Sequence, residues 1–508
     1  MSNQRVRTQL LARNSFDEKD ARPRPKLAEM VAMAITDEIA KLGWPVGRNI
    51  GRLPDLTRRY GVSESIAREA VRQLEQNGLV RMLRGDKPGL VVSSPPPAVA
   101  AQALVTYLHL VDVKPTEVLG FAHAFEHQMA MLCAQRLSSR AVPALRGSVD
   151  RLMAEHDLIK RMPVFRDLMR QLTAATTNPL FSMFCEVVFQ SMGSLGMGGG
   201  EGPEMERIQA QGDLAMRAWC IVAEAVIAGD LQGISRTLNA FGDGEEFDQF
   251  TSSYRRLVRT GSAPIVNPET FDMIFGPLHK RSLFLAFQIA GQLNDEGAQE
   301  GVNLGREPQL TARYGVSRGV FREAARILEL HQICKTRRGN AGGMYTGRPS
   351  PAYAIQTART CLHYLSISTA QVCEARLAFE PAAARKVAEE TPELARRLRA
   401  ILDGEGPASE RLEAFHAHVM SAAANRVVAL VSEALVSCEG LGEEVCDSAV
   451  AAARIVADAI GAGDGALSAR SMIEFISAWA AADRQDWTLN TQTFSSIAPV
   501  ASESWAGR

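Results

Sequence analysis

The sequence has no apolar run long enough to span a bilayer, and its N-terminal stretch MSNQRVRTQLLARNSFDEKD lacks the apolar core of a signal peptide. A cytoplasmic protein with no membrane contact is the expectation. It also has no CxxC pair. Its eight cysteines, at positions 133, 185, 220, 334, 361, 373, 438 and 446, are scattered, which supports neither a disulfide framework nor a zinc site and fits reduced, mostly buried thiols. An excess of positive charge is missing too: 56 basic against 57 acidic residues leave a formal net charge of −1. That excludes a uniformly basic nucleic-acid coat but not a local basic face, because acidic regions elsewhere cancel it in the sum.

What is present is an ordinary globular composition, 46% hydrophobic and 22% charged over 508 residues, a length that calls for three or four domains. The chain also repeats itself. Residues 50–63 read IGRLPDLTRRYGVS and residues 304–317 read LGREPQLTARYGVS, with ten of the fourteen positions identical. One constant offset, that of Gly61 to Gly315, also carries Arg68-Glu69-Ala70 onto Arg322-Glu323-Ala324 and Glu126 onto Glu380. Such a register indicates a duplication whose units hold complete domains, since its period is far too long for a solenoid repeat. Proline-rich connectors, SSPPPA at 93–98 and TGRPSPA at 346–352, fall at equivalent places, and GSAPIVNPET at 261–270 separates the units.

The expected layout is a disordered arm over 1–23, a first winged helix-turn-helix over 24–94 and a first helical effector-type domain over 99–255. A linker over 256–270, a second winged helix-turn-helix over 271–347, a second helical domain over 352–487 and a tail over 488–508 complete it. The fold class is mainly α: each unit opens with three helices and two short strands, followed by an all-helical bundle. Helical periodicity is clear around 117–139, 143–160, 163–175, 180–191 and 205–229. The glycine-rich SMGSLGMGGGEG at 191–202 has no preceding strand and no GK[ST] ending, so it reads as a flexible interhelical loop and not a phosphate cradle.

Residues 54–78 carry the chemistry. Pro54 can open a helix running to about Tyr60, Gly61 supplies the turn, Ser63 can cap the next helix and Gly78 can end it. Ala67, Ala70, Val71 and Leu74 form the inner stripe of that helix, while Arg68 and Arg72 lie four residues apart on another face. This is a helix-turn-helix pattern. In the second copy Ser317 is the cap and Arg318, Arg322 and Arg326 recur every four residues, suited to phosphates and guanine edges. LVRMLRGDKPGLVV (79–92) and ICKTRRGNAGGMYT (333–346) then read as strand, basic glycine-containing tip and strand, so that Arg84, Lys87, Arg337 and Arg338 would reach backbone or minor groove. Arg52 and Arg306, just before the first helix of each pair, complete the DNA-contact set.

GVSESIAREAVRQLEQNGLV (61–80) and GVSRGVFREAARILELHQIC (315–334) resemble the recognition-helix signature of GntR-type transcriptional regulators, and IGRLPDL and LGREPQL echo the element that precedes it. RLAFEPAAARKVAEE (376–390) and AFHAHVMSAAANRVV (414–428) resemble the FCD helical domain of the FadR branch. The first copy departs from the family's Ser-Arg start: it has Ser63-Glu64 where the second keeps Ser317-Arg318. Glu64 can pair with Arg68 and divert it, so the second head is expected to dominate affinity.

Many FCD domains hold a divalent metal with one Asp and three His. The matching positions are Phe165, Met169, Trp219 and Phe241 in the first unit and Leu412, His416, Ala453 and Phe475 in the second. Only His416 could ligate, so no metal or other cofactor is expected. Phe165, Met169, Trp219, Phe241, His416 and Phe475 either line a pocket for a small apolar or acyl-type effector or fill the former cavity.

The resemblance implies a sequence-specific regulator, a repressor, that binds a double-stranded DNA operator through paired heads, as a homodimer or an intramolecular pseudo-dimer. Two rivals remain. One is a co-regulator with decayed heads that works through protein contacts. The other is a GntR-type fusion enzyme with a pyridoxal-phosphate domain, which requires a Schiff-base lysine. After residue 270 the only lysines are Lys280, Lys335 and Lys386, and the segments read as helical, so no enzyme is expected.

Overall fold

A computed structural model describes residues 28–240, 281–436 and 443–480, less 29–30, 33, 36–37, 40–45, 77–78, 84, 86–87, 94–96, 197–202, 338–341 and 366. The expected arm, linker and tail lie outside the described residues. The described chain is mainly helical, and none of its helices is long and apolar enough to cross a membrane. It divides into two compact units, one of residues 1–100 and 357–367, the other of 101–356 and 368–508.

In the first unit α1 (Leu53–Tyr60) and α2 (Glu64–Gln76) precede a hairpin of β1 (Val80–Leu83) and β2 (Gly89–Val92). Gly61 closes α1 in the left-handed region at φ 62°, where a Cβ would be strained. Val31, Ile35 and Ile39, spaced at helical intervals, share the buried core with Leu56, Ala67, Ala70, Leu74 and Leu90. The Tyr60 hydroxyl donates to Glu38 at 2.5 Å, tying α1 to that earlier helical segment.

The second unit begins with α3 (Pro97–Leu110, counted from Ala101), α4 (Pro115–Arg136), α5 (Val142–Ala154), α6 (Leu158–Ala175), α7 (Pro179–Gly196), α8 (Pro203–Ala228) and α9 (Leu231–Asn239). Helix α7 runs on through 191–196, part of the stretch expected as a loop, and 197–202 lie outside the described residues. The second helix-turn-helix segment follows: α10 (Arg281–Asp295), β3 (Asn303–Gly305), α11 (Glu307–Tyr314), α12 (Arg318–Leu330), β4 (Cys334–Arg337) and β5 (Gly343–Thr346). Strand β3 pairs with β5 to make a three-stranded sheet of order β3-β5-β4; sequence reading missed it. Its counterpart in the first unit is a single bridge, Asn49 to Val91.

Helix α3 packs on this second segment. Leu110 enters the core of Leu285, Ile289, Phe321, Leu328 and Ile333, and Asn294 Nδ2 donates to the Leu110 carbonyl at 3.2 Å. Helix α13 (Ala352–Tyr364) follows the second segment, and its residues from Thr357 onward belong to the compact unit of the first.

The remaining helices are α14 (Thr369–Arg376), α15 (Glu380–Glu390), α16 (Leu394–Leu402), α17 (Ala408–Ala422), α18 (Arg426–Leu435), α19 (Glu443–Gly461) and α20 (Gly465–Ala480). Where α4 is one continuous helix, α14 and α15 are separate. Pro381 stands where α4 has His127; its ring has no N–H for the Leu377 carbonyl and would clash with it, so the helix breaks at 377–379.

The two bundles meet along a seam with matched halves. Asn178 Nδ2 donates to the Gln371 carbonyl at 2.9 Å, and Asn425 Nδ2 donates to the Glu117 carbonyl at 2.9 Å. Glu117 and Gln371 correspond by the repeat offset, and Asn178 and Asn425 occupy the same place in their bundles, each following a residue at positive φ (Thr177, 56°; Ala424, 54°). Residue i of one bundle thus meets j of the other, and j's counterpart meets i's, the pattern of a twofold interface. Arg426 grips Glu117 and the carbonyls of Val111 (2.7 Å) and Asp112 (2.8 Å). Arg136 binds Glu374 at 2.5 Å. Phe379 stacks edge-on against Phe121 and Phe184 at centroid distances of 5.6 and 5.8 Å.

Candidate nucleic-acid interface

Helices α2 and α12 are each positioned by the turn before them. Ser317 Oγ accepts the Val320 N–H at 3.4 Å and Ser63 Oγ accepts that of Ile66 at 3.4 Å, each satisfying an otherwise orphan donor at a helix start. In α12 Phe321, Ala324, Ala325 and Leu328 are buried, which turns Arg318 and Arg322 to solvent; Arg326, one turn on, is half-buried. In α2 Ala67, Ala70, Val71 and Leu74 are buried while Arg68 and Arg72 are exposed. Arg52 and Arg306 are exposed at the N-caps of α1 and α11.

The electrostatics of the two faces differ. Glu64 binds Arg68 one helical turn away, as its spacing suggested. The corresponding Arg322 is also paired, but with Glu307 at the start of α11, at 3.0 and 3.1 Å. Sequence reading missed that partner because it lies fifteen residues away across the turn. Arg72 lies 3.5 Å from Glu69. Among the described residues Arg318 has no hydrogen-bond or ion-pair partner, and it is the position the first copy fills with Glu64. The arginines of these pairs are exposed, and ion pairs at a protein surface are held weakly.

At the hairpins, Arg337 lies over the Tyr345 ring at 4.5 Å, a cation–π contact that holds the guanidinium at the root of the β4–β5 tip. Arg84, Lys87 and Arg338 lie outside the described residues.

Of the residues expected to line an effector pocket, Phe165, Met169, Trp219, His416 and Phe475 are buried. Phe165 (against Phe189 at 5.6 Å), Met169 and Trp219 are buried in the first bundle; Phe241 lies outside the described residues. In the second bundle His416 and Phe475 border a buried polar cluster. Arg376 makes two bonds to Glu380, at 2.9 and 3.0 Å, with its guanidinium 5.8 Å from the Phe475 ring centre. His416 Nε2 lies 3.0 Å from Glu380 Oε1, and Ser432 Oγ donates to the same oxygen at 2.6 Å. Burial pushes the Glu380 carboxyl up, but Arg376 and His416 outweigh it and bring it down to about 2. Among the described residues no group of His, Cys, Asp and Glu could hold a metal ion.

No protein-family model matches the chain, and no curated protein matches it. Among solved structures it is similar to a Streptococcus agalactiae GntR protein, at 16% identity over 45% of this chain and 99% of that one, with a TM-score of 0.27. A second is described by the words "Lar controls the expression of the Listeria monocytogenes agr system and mediates virulence", at 16% identity over 46% and 100%, TM-score 0.19. A third is a GntR-family transcriptional regulator from Pseudomonas syringae pv. tomato, at 19% identity over 51% and 99%, TM-score 0.18. Each of these chains is spanned almost end to end by about half of this one.

Proposed function

We propose that the protein is a transcriptional regulator, a repressor, that reads an operator in double-stranded DNA with two winged helix-turn-helix heads carried on one chain. The observation that carries this reading is the solvent-facing arginine edge of α12, with Arg318 unpaired among the described residues and Arg322 held by the half-buried Glu307, behind a glycine turn and a serine cap. A helix so presented, with its N-terminal residues outward, fits the major groove.

The matched seam between the bundles supports an intramolecular pseudo-dimer. The faces that would pair two copies of a single-unit chain are here used within one chain, so one molecule supplies both heads. Because the heads differ at Glu64 and Arg318, the operator is an asymmetric pair of half-sites. The helical bundles serve the pairing and receive the effector, a small molecule with an apolar body, in keeping with the buried Phe165, Met169 and Trp219.

Footprinting on the chain's own promoter with a stoichiometry titration tests this. Protection of two unlike half-sites by one chain per operator is expected. Protection of one half-site, or two chains per operator, would overturn the pseudo-dimer.

A further inference from the structure

The two bundles treat one carboxylate in opposite ways. Glu380 in α15 is fully buried and receives a tethered cation, Arg376, together with His416 and Ser432. Its counterpart by the repeat offset is Glu126 in α4. The same offset turns Arg376 into Ala122, and the offset of Asn178 to Asn425 turns His416 into Met169 and Ser432 into Cys185. Every partner of the second carboxylate has been replaced by an uncharged side chain. No hydrogen bond or ion pair to Glu126 is found among the described residues.

Glu126 lies on the stripe of α4 that carries Ala122, Met129 and Cys133, all buried. Cys185 on α7 packs its sulfur 3.8 Å from that of Met129; burial, and after it the nearby Glu126 charge, pushes its thiol up. The carboxylate therefore stands against apolar and sulfur-bearing walls, yet it remains partly accessible to solvent where Glu380 is sealed. Burial alone raises its carboxyl to about 7, the mark of an anion with nothing to neutralise it.

A carboxylate in apolar surroundings is costly unless paired. The second bundle shows what satisfies it in this fold: a guanidinium presented on an aliphatic stem. We propose that the first bundle binds a small organic cation, a guanidinium or primary ammonium on an apolar body, against Glu126, in the place that Arg376 fills in the second bundle. Ala122 is too short to reach Glu126 as Arg376 reaches Glu380, the adaptable thioether of Met129 would have to shift to receive the ligand's apolar body, and the partial exposure of Glu126 gives it a way in. The inference deepens the effector reading above but does not depend on DNA binding.

Calorimetric titration of the full chain at pH 8 with n-butylguanidinium, with n-butanol as the neutral control, is the test. Saturable binding of one n-butylguanidinium per chain is expected, weakened about ten- to a hundredfold in the isosteric Glu126→Gln variant. Ala122→Arg, which tethers a guanidinium one turn before Glu126, should abolish binding and raise the melting temperature. Arg376→Ala should gain a second site of the same kind. No saturable binding to the wild type, or binding unchanged by both Glu126→Gln and Ala122→Arg, would overturn the proposal. Because the readout contains no DNA, a failed operator assay leaves this result standing, and the reverse holds too.

Discussion

Replacing Arg376 by methionine should destabilise the second bundle more than any exposed substitution, for a reason that can be worked from the cluster itself. Glu380 has no exposure, and its carboxyl is held at about 2 against an ordinary 4.5. A depression of that size corresponds to about 3 kcal/mol, at roughly 1.36 kcal/mol per unit. The sign follows from the direction. Because the folded value lies below the unfolded one, this stabilisation is complete above about pH 4.5 and drains away as pH falls toward 2. Arg376→Met removes the two bonds at 2.9 and 3.0 Å and leaves an anion with only His416 and Ser432, at a cost of about 3–5 kcal/mol. Arg376→Met with Glu380→Leu removes the stranded charge as well. It should recover much of the loss, short of full recovery because His416 and Ser432 then lack their acceptor. Urea unfolding at pH 7 followed by circular dichroism, with hydrogen exchange of α15 to localise the effect, gives the cycle. Additive single and double variants, or a cost below about 1 kcal/mol for Arg376→Met, would show that Arg376 does not neutralise Glu380 in the core.

The first bundle should show the opposite pH behaviour. Glu126 has a folded value near 7, above its unfolded one, so stability falls as pH rises from about 4.5 through 7; Glu126→Gln should flatten that dependence in thermal scans taken across the range. At the seam, Arg426→Met should cost about 1–2 kcal/mol and speed exchange of the α4 N-terminus, since Arg426 holds Glu117 and the carbonyls of Val111 and Asp112; unchanged exchange there would mean the seam does not order that end. In the first head, Glu64→Arg frees Arg68 and adds a cation, so DNA affinity should rise and the slope of log K against log salt should steepen by up to about two phosphates' worth, read by fluorescence anisotropy.

Local signals made the two helix pairs and their turns legible. Gly61 and Gly315 at φ 62°, Ser63 and Ser317 at the helix starts, and alternating inner and outer positions of α2 and α12 all act within a few residues, and a single sequence displays them. The Glu64–Arg68 pair was legible for the same reason. Strand β3 was not, because three residues carry no periodicity and its pairing with β5 is made some forty residues away. Glu307 escaped notice because its partner Arg322 lies on the next helix. The Arg376–Glu380 spacing of one turn was visible, but nothing in the sequence says that both side chains face inward; burial decides that. The seam was least accessible. Asn178 meeting Gln371 and Asn425 meeting Glu117 depend on how two bundles dock, and the repeated sequence alone leaves pairing within one chain and pairing between chains equally open.

DNA reading by α12 is tested by binding of the purified chain to its own promoter DNA across a salt series, alongside the Arg318→Ala, Arg322→Ala double variant. Sequence-specific binding with a steep salt slope is expected in the wild type, with both affinity and slope much reduced in the variant. Specific binding with an unchanged slope in the variant would remove α12 from the interface, and no specific binding at low salt would contradict the DNA-reading function itself.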